Sequence, residues 1–90
     1  MKKTIITVVG KDQKGIIAKV CTFLSENGIN ILDISQTIVS GYFNMMMIVD
    51  MSDTQEDFTS IQNKIEELGK SIGVIIKAQR EDIFDMMHRI

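Results

Sequence analysis

The sequence predicts one α+β domain with a ferredoxin-like fold, in which a four-stranded antiparallel sheet carries two helices on one face. Two observations lead to this prediction. In two stretches apolar residues recur at steps of three and four, as in amphipathic helices, whereas four other stretches are short and apolar, as in strands. Along the 90 residues the order is strand, helix, strand, strand, helix, strand. That order is the split βαβ pattern.

The first strand is predicted over residues 4–9, where every residue is β-branched. An apolar residue at every fourth position then predicts a helix over residues 15–27. The recurring residues are Ile16, Val20 and Leu24. Asn27-Gly28 is expected to end this helix, because glycine commonly adopts the left-handed conformation just past a helix C-terminus.

The second strand is predicted over residues 30–40, where apolar residues alternate imperfectly. Leu32, Ile34 and Ile38 are assigned to one side of the strand, and Ile31 and Val39 to the other. The adjacent pair Ile31-Leu32 predicts a bulge, or a strand start that is buried on both faces. Either arrangement is expected to turn Asn30 towards a neighbouring loop.

Ser40-Gly41 predicts a tight hairpin turn, and residues 42–50 predict the return strand. Ser52-Asp53-Thr54 is expected to supply the N-cap of the second helix. Its apolar positions are Phe58, Ile61, Ile65, Leu68 and Ile72. Gly69 and Gly73 are expected to interrupt this helix, and the last strand is predicted over residues 74–79.

Beyond a domain of residues 1–80, residues 81–90 predict a short helical extension that packs on the domain or on a dimer partner. Because both helices lie on one face, the other face of the sheet needs a cover. The extension, a second subunit, or both are candidates for it. A homodimer or higher homo-oligomer is therefore expected.

Methionine is frequent, with seven residues in the chain. Five of them fall in the return strand and the extension: Met45, Met46, Met47, Met86 and Met87. Flexible, polarizable side chains suit a deformable contact surface, so these methionines are candidates for contact with a protein partner. An ordinary role in the core stays open as the alternative.

Composition excludes several classes of partner. With a net charge of −2, a pI near 5.2 and no basic run, no nucleic-acid or membrane partner is predicted. No apolar run has membrane-spanning length and no leader pattern is present, so a cytoplasmic protein is expected. The single cysteine, Cys21, excludes an intrachain disulfide and is interpreted as a small buried hydrophobe.

No enzymatic activity, cofactor or metal is predicted. A metal carrier would need a Cys-x-x-Cys motif in the first loop, and an RNA-binding domain would need aromatic residues on its central strands. An acylphosphatase-like enzyme would need an arginine where Lys11 and Lys14 stand. His88, with Asp85 three residues before it, is interpreted as a surface residue rather than a catalytic one.

The loop between the first strand and the first helix, residues 10–15, is called the first loop. Gly10 and Gly15 allow the backbone to approach a ligand, and the N–H groups at the helix start can hold a carboxylate. Asp12 can pair with an ammonium group, and Asn30 is expected nearby as a donor and acceptor. These groups match the two ends of an α-amino acid. The alternative is that Asp12 caps the helix and the glycines only turn the chain.

Three segments carry a family resemblance: residues 8–16, 24–31 and 33–36. An Asp-x-x-Gly turn that opens a helix, followed by Gly-x-Asn-Ile at the next strand, resembles the ACT domain family. More narrowly, the chain is similar to short stand-alone bacterial ACT proteins and to the ACT halves of the glycine-cleavage transcriptional repressor. Many members have Arg-Pro where this chain has Gln13-Lys14.

The resemblance implies a non-enzymatic, allosteric regulatory module that binds an amino acid or similar small metabolite at a dimer interface. By resemblance, Gly10, Asp12, Gly15 and Asn30 fall at the ligand site, followed by Ile31 as a packing residue. The whole predicted ligand-binding set is Gly10, Lys11, Asp12, Gln13, Lys14, Gly15, Ile16, Asn30 and Ile31. The alternative is a structural protein–protein interaction module without a small-molecule ligand.

Overall fold

The computed structural model describes residues 3–11 and 14–80 of the chain. The strands are β1 (Lys3–Lys11), β2 (Asn30–Val39), β3 (Tyr42–Asp50) and β4 (Ile75–Arg80), and the helices are α1 (Ile16–Glu26) and α2 (Phe58–Ile72). This order confirms the predicted ferredoxin-like fold. The predicted C-terminal helix falls on residues 81–90, outside the described residues.

The four strands form one antiparallel sheet in the order β2-β3-β1-β4, so β2 and β4 are its edges. At one end of the sheet, Asp50 of β3 lies opposite both Lys3 of β1 and Asn30 of β2. At the other end, Tyr42 lies opposite Lys11 and Val39. These are called the Asn30 end and the first-loop end, because each of these features lies there.

The core lies between the helices and one face of the sheet. Side chains alternate across a strand, so β1 and β3 each turn every second residue to the helices. The most deeply buried members are Ile6, Val8, Val20, Leu24, Met47, Val49, Ile61 and Ile65. Burial of a side chain of this size contributes about 1.5–3 kcal/mol. Met45 and Met47 belong to this core, so the methionines of β3 serve partly as packing residues.

A bulge in β2 confirms the prediction drawn from Ile31-Leu32. Register shifts between Ile31, which lies opposite Val49, and Asp33, which lies opposite Ile48. Residues directly opposite each other share a face, so Ile31 lies on the helix side of the sheet with Val49. Ile34, opposite buried Met47, lies on that side too. The assignment of Ile31 and Ile34 to opposite sides is therefore wrong, because the bulge inserts one residue between them.

The predicted hairpin turn joins β2 to β3. Ser40 and Gly41 both have positive φ, 52° and 82°. Two consecutive residues with positive φ make a type I′ turn, whose twist matches that of the strands it connects. Hairpin register is thereby set next to the first-loop end of the sheet.

The predicted N-cap of the second helix is wrong. Asp57 caps α2, and its Oδ1 accepts a hydrogen bond from the backbone N–H of Ser60 at 2.8 Å. Ser52 instead belongs to a turn after β3, where its N–H and hydroxyl donate to Oδ1 of Asp50 at 3.0 and 2.6 Å. Several potential capping residues occur between residues 52 and 57, so the sequence pattern alone does not select Asp57.

Gly69 does not interrupt α2, contrary to the prediction. It is buried within the helix, and a Cβ at this position would lie 2.8 Å from the carbonyl oxygen of Val74. Glycine is therefore required by the close approach of α2 to the start of β4. The helix ends at Gly73, which has φ 77° as a left-handed C-cap.

Candidate functional site

The first loop lies between the end of β1 and the start of α1. Of its predicted ligand-binding residues, Gly10, Lys11, Lys14 and Gly15 lie within the described residues, whereas Asp12 and Gln13 lie outside them. Gly15 occupies the N-cap of α1 with φ 87° and ψ 0°. A Cβ at this position would meet no described residue within 4 Å, and the left-handed backbone conformation is by itself a reason for glycine here.

Among the described residues, the start of α1 offers backbone donors that no side chain of the N-cap or first turn accepts from. Gly15 has no side chain to accept a hydrogen bond, and the first turn of α1 contains no acidic residue. Unpaired N–H groups and the helix dipole give such a terminus a partial positive charge. Lys11 and Lys14, both exposed, add positive charge beside it. The described part of the loop therefore suits a small anion such as a carboxylate.

Gly10 has a packing role as well as a predicted ligand role. A Cβ there would lie 2.6 Å from Cγ1 of Val74 and 3.2 Å from its Cα. Because real Cβ atoms do not approach this closely, the end of β1 can lie against Val74 only with glycine at this position. Packing is thus a sufficient reason for Gly10, whatever the loop binds.

Asn30 and Ile31 lie at the other end of the sheet. Lys3 and Lys11 are the two ends of β1. Asp50 pairs with both Lys3 and Asn30, so Asn30 lies at the Lys3 end of the sheet. Eight steps of about 3.3 Å separate the two ends by roughly 26 Å. Within one chain, the expectation that Asn30 lies near the first loop is therefore wrong. Helix α1 carries the chain back along the sheet before β2 begins.

An open surface depression of about 450 Å³, called the Asn30 cavity, lies beside Asn30 and Ile31, between the end of α1, the start of β2 and the connection after β3. Its polar lining comes from Ser25, Asn30 and Asp53, and the free thiol of half-buried Cys21 also reaches it. Sequence reasoning did not select Ser25 or Asp53. No local sequence signal marks them, because the contact is tertiary: a Cβ at Gly28 would lie 3.3 Å from the carbonyl oxygen of Asp53.

The predicted site residues therefore form two groups at opposite ends of the domain. One group is the glycine-containing first loop with its helix start, and the other is Asn30 with its cavity. Within residues 3–11 and 14–80, no three His, Cys, Asp or Glu side chains cluster closely enough to hold a metal ion. In the same part of the chain, neither helix is long and apolar enough to cross a membrane.

The architecture is that of a ferredoxin-like domain, with two helices on one face of an antiparallel sheet in the order β2-β3-β1-β4. Its first helix follows a loop that contains Gly10 and Gly15. Residues 2–79 match the family model described as the ACT domain. This match spans most of the chain, and the chain belongs to the ACT domain family. The family predicted from the Asp-x-x-Gly and Gly-x-Asn-Ile segments is thereby confirmed.

Relatives agree with this assignment. A UPF0237 protein of Bifidobacterium longum is 60% identical over 90 residues, which is the full length of both chains. An ACT domain protein from Streptococcus pneumoniae superposes with a TM-score of 0.83 at 48% identity, covering 93% of this chain and 94% of that one. A putative glycine cleavage system transcriptional repressor superposes with a TM-score of 0.77 at 25% identity, covering 88% of this chain and 45% of that one.

Proposed function

We propose that this chain is a non-enzymatic regulatory module of the cytoplasm that binds an amino acid or a similar small metabolite between two copies of itself. Membership of the ACT family over residues 2–79 supports a regulatory role, as does the likeness to a putative transcriptional repressor. Binding acts by favouring one quaternary arrangement, because a ligand shifts an equilibrium only by its different affinity for the two states.

The observation that carries the proposal is the separation of the two groups of site residues. Gly15 and Asn30 lie at opposite ends of one sheet, yet both belong to the set that the family resemblance marks as ligand-binding. One small molecule cannot span about 26 Å. A site that uses both groups therefore takes the first loop from one chain and Asn30 from another.

The edge strand β2 gives a route to such a pair. Strand β2 pairs with β3 on one side, and an edge strand can pair with a second chain. If two β2 strands pair antiparallel about a two-fold axis, the Asn30 end of each lies beside the first-loop end of the other. Exposed apolar side chains of β2 favour burial in that way: Ile34 is 43% exposed, Ile38 60% and Val39 61%.

The chemistry of the two groups is complementary to an α-amino acid. The carboxylate is held by the N–H groups at the start of α1, with Lys11 and Lys14 beside them. Asp12 of the same chain accepts a hydrogen bond from the ammonium group, and so does Asn30 of the partner subunit. The proposed contact set is Gly10, Lys11, Asp12, Gln13, Lys14, Gly15 and Ile16 of one chain, with Asn30 and Ile31 of the other.

A thermal-shift screen of the purified chain against the twenty amino acids tests ligand binding. A ligand that binds only the folded form stabilises it by about 2.7 kcal/mol at a concentration of 100 Kd, so the melting temperature must rise. We expect a rise with one or a few amino acids, and loss of that rise in Asp12→Ala and in Asn30→Ala. Absence of any shift at millimolar concentrations contradicts the proposal.

Mixing the two variants tests whether the site is shared between chains. Asp12→Ala retains an intact Asn30, and Asn30→Ala retains an intact first loop. In a mixed dimer one of the two sites then combines both intact groups. Equilibrium dialysis of a one-to-one mixture should recover about one quarter of the wild-type sites. If the mixture binds no more ligand than either variant alone, the site does not cross the interface.

The second candidate function is a protein–protein interaction module without a ligand. Exposed apolar side chains favour it, among them Met46 at 42% and Tyr42 at 52%. On this hypothesis Met46→Lys disrupts association with a protein partner, and no amino acid changes the melting temperature. On the regulatory hypothesis the amino-acid shift is present. The thermal-shift screen therefore separates the two candidates.

A further inference from the structure

The face of the sheet that points away from the helices is called the outward face. On β1 it is formed by Ile5, Thr7 and Val9, which alternate with the core residues Thr4, Ile6 and Val8. Ile5 lies opposite Ile48 of β3 and Gln79 of β4, and Val9 lies opposite Asn44 and Ile75. Both positions are therefore flanked by strands on each side.

Burial differs sharply between these two matched positions. Ile5 is only 6% exposed, whereas Val9 is 43% exposed on the same strand and the same face. Further along the outward face, Met46 is 42% exposed and Ile75 is 63% exposed. Flanking strands cannot explain the burial of Ile5, since Val9 has flanking strands too. Ile5 is also absent from the hydrophobic core cluster of buried residues.

The buried end of the outward face is the end at which β4 finishes. Arg80, the last residue of β4, lies opposite Thr4, and Gln79 lies opposite Ile5. Ten residues follow Arg80, and half of them are large and apolar: Ile83, Phe84, Met86, Met87 and Ile90. A helix of ten residues would be about 15 Å long. Four strands spaced about 4.8 Å apart have a similar width.

We propose that residues 81–90 lie across the outward face of their own chain, over Ile5 and Ile48. Length, composition and the position of Arg80 all suit this occupant, and the exposure of Val9 and Ile75 agrees with a cover limited to one end of the face. A second subunit is then excluded from that end. The inference holds whether or not the first loop binds a ligand.

Cross-linking of the full-length chain tests which chain supplies the cover. With Cys21→Ala removing the native thiol, Lys77→Cys places a thiol on the outward face, and Met87→Cys places one in the C-terminal segment. A short bismaleimide should join them within one chain. The matched control pairs Met87→Cys with Glu66→Cys, an exposed position on α2 at the opposite side of the sheet, and should yield little product.

Mass spectrometry of isotopically mixed chains distinguishes the outcomes. Intrachain product from the Lys77 pair, in clear excess over the Glu66 pair, supports the proposal. Product mainly between chains shows that the partner supplies the cover and overturns it. Equal yields in both pairs show that residues 81–90 have no preferred site, which also overturns it.

Exposure of the outward face gives a second measurement that does not depend on cross-linking. The double variant Phe84→Asp, Met87→Asp should release the segment and increase the fluorescence of the apolar dye ANS several-fold, because Ile5 and Ile48 become accessible. His88→Asp changes the charge of the same segment and should leave the dye signal unchanged. An unchanged signal in the double variant overturns the proposal.

Discussion

The two connections that lead from a strand into a helix are built in different ways. Before α1, the first loop contains Gly10 and Gly15. Val74 leaves no room for a side chain at Gly10, and Gly15 has the left-handed conformation. Before α2, side chains form the connection. Thr54 Oγ1 accepts from the N–H of Glu56 at 3.4 Å, and Asp57 Oδ1 accepts from the N–H of Ser60 at 2.8 Å.

This difference separates a structural connection from a candidate binding site. Every helix begins with N–H groups that have no partner inside the helix. The connection before α2 supplies an acceptor from its own sequence, through Asp57. Gly15 cannot supply one for α1, so acceptors there come from solvent, from another residue or from a ligand. Among the described residues, the start of α2 is thus closed by its own side chain and the start of α1 is open.

The largest expected effect is that of Gly10→Ala. A methyl group 2.6 Å from Cγ1 of Val74 forces the end of β1 away from the neighbouring segment. Overpacking of this kind should lower the free energy of unfolding by about 1–3 kcal/mol, which urea denaturation can measure. Val74→Ala in the same chain should reduce that cost, giving a favourable coupling in a double-mutant cycle. Additive effects would show that Val74 is not what requires glycine.

Gly15→Ala tests whether backbone conformation alone selects glycine at the start of α1. Since a Cβ meets no described residue within 4 Å, the left-handed conformation is what opposes it, at a cost of about 1–2 kcal/mol. Gly15→Asn should cost less, because asparagine tolerates this conformation. Equal destabilisation by Ala and Asn in urea denaturation would mean that a contact, rather than φ, is responsible.

Asp57→Ala removes the cap of α2 and should destabilise the fold by about 1 kcal/mol. Asp57→Asn retains an acceptor oxygen and is the matched control, with a smaller effect expected. Neither substitution should alter amino-acid binding, because Asp57 belongs to neither group of proposed contact residues and its side chain is engaged in capping its own helix. A loss of ligand affinity in Asp57→Ala with the fold intact would contradict the division into open and closed helix starts.

The smallest effect concerns Glu56, just before the cap of α2. Its carboxylate accepts hydrogen bonds from Lys64 Nζ and from Ser60 Oγ. The hydrogen bond from Lys64 lowers the pKa of Glu56 below its ordinary value of 4.5, although partial desolvation opposes the shift. Because the pKa is lowered on folding, this stabilisation is present above the ordinary value and is lost as pH falls through the folded value.

A comparison of Lys64→Met with the wild type measures that contribution. The difference in urea midpoint between the two proteins should be small at neutral pH, and it should shrink in acid once Glu56 is protonated. A difference that grows in acid would reverse the sign and exclude the ion pair as its source.

Much of the fold could be predicted from local patterns. Residues 4–9 are β-branched throughout, and Ile61 and Ile65 recur at helical spacing, so element types and their order follow from side-chain periodicity. Ser40-Gly41 and Asn27-Gly28 mark a turn and a helix end, because few residues adopt the conformations needed there. The Asp-x-x-Gly turn likewise predicts ligand binding by the first loop, and that stays a prediction.

The relative position of the site residues followed only from tertiary structure. Asn30 and Gly15 are fifteen positions apart in sequence, yet strand register places them at opposite ends of the sheet. From sequence, Gly10 is interpreted as part of a turn and Gly69 as an interruption of a helix. In the structure both glycines allow close contact with Val74, which is distant from Gly10 in sequence. Periodicity depends on neighbours along one element, so the sequence determined which elements form. Register and close packing depend on distant segments meeting, and those were decided by the fold.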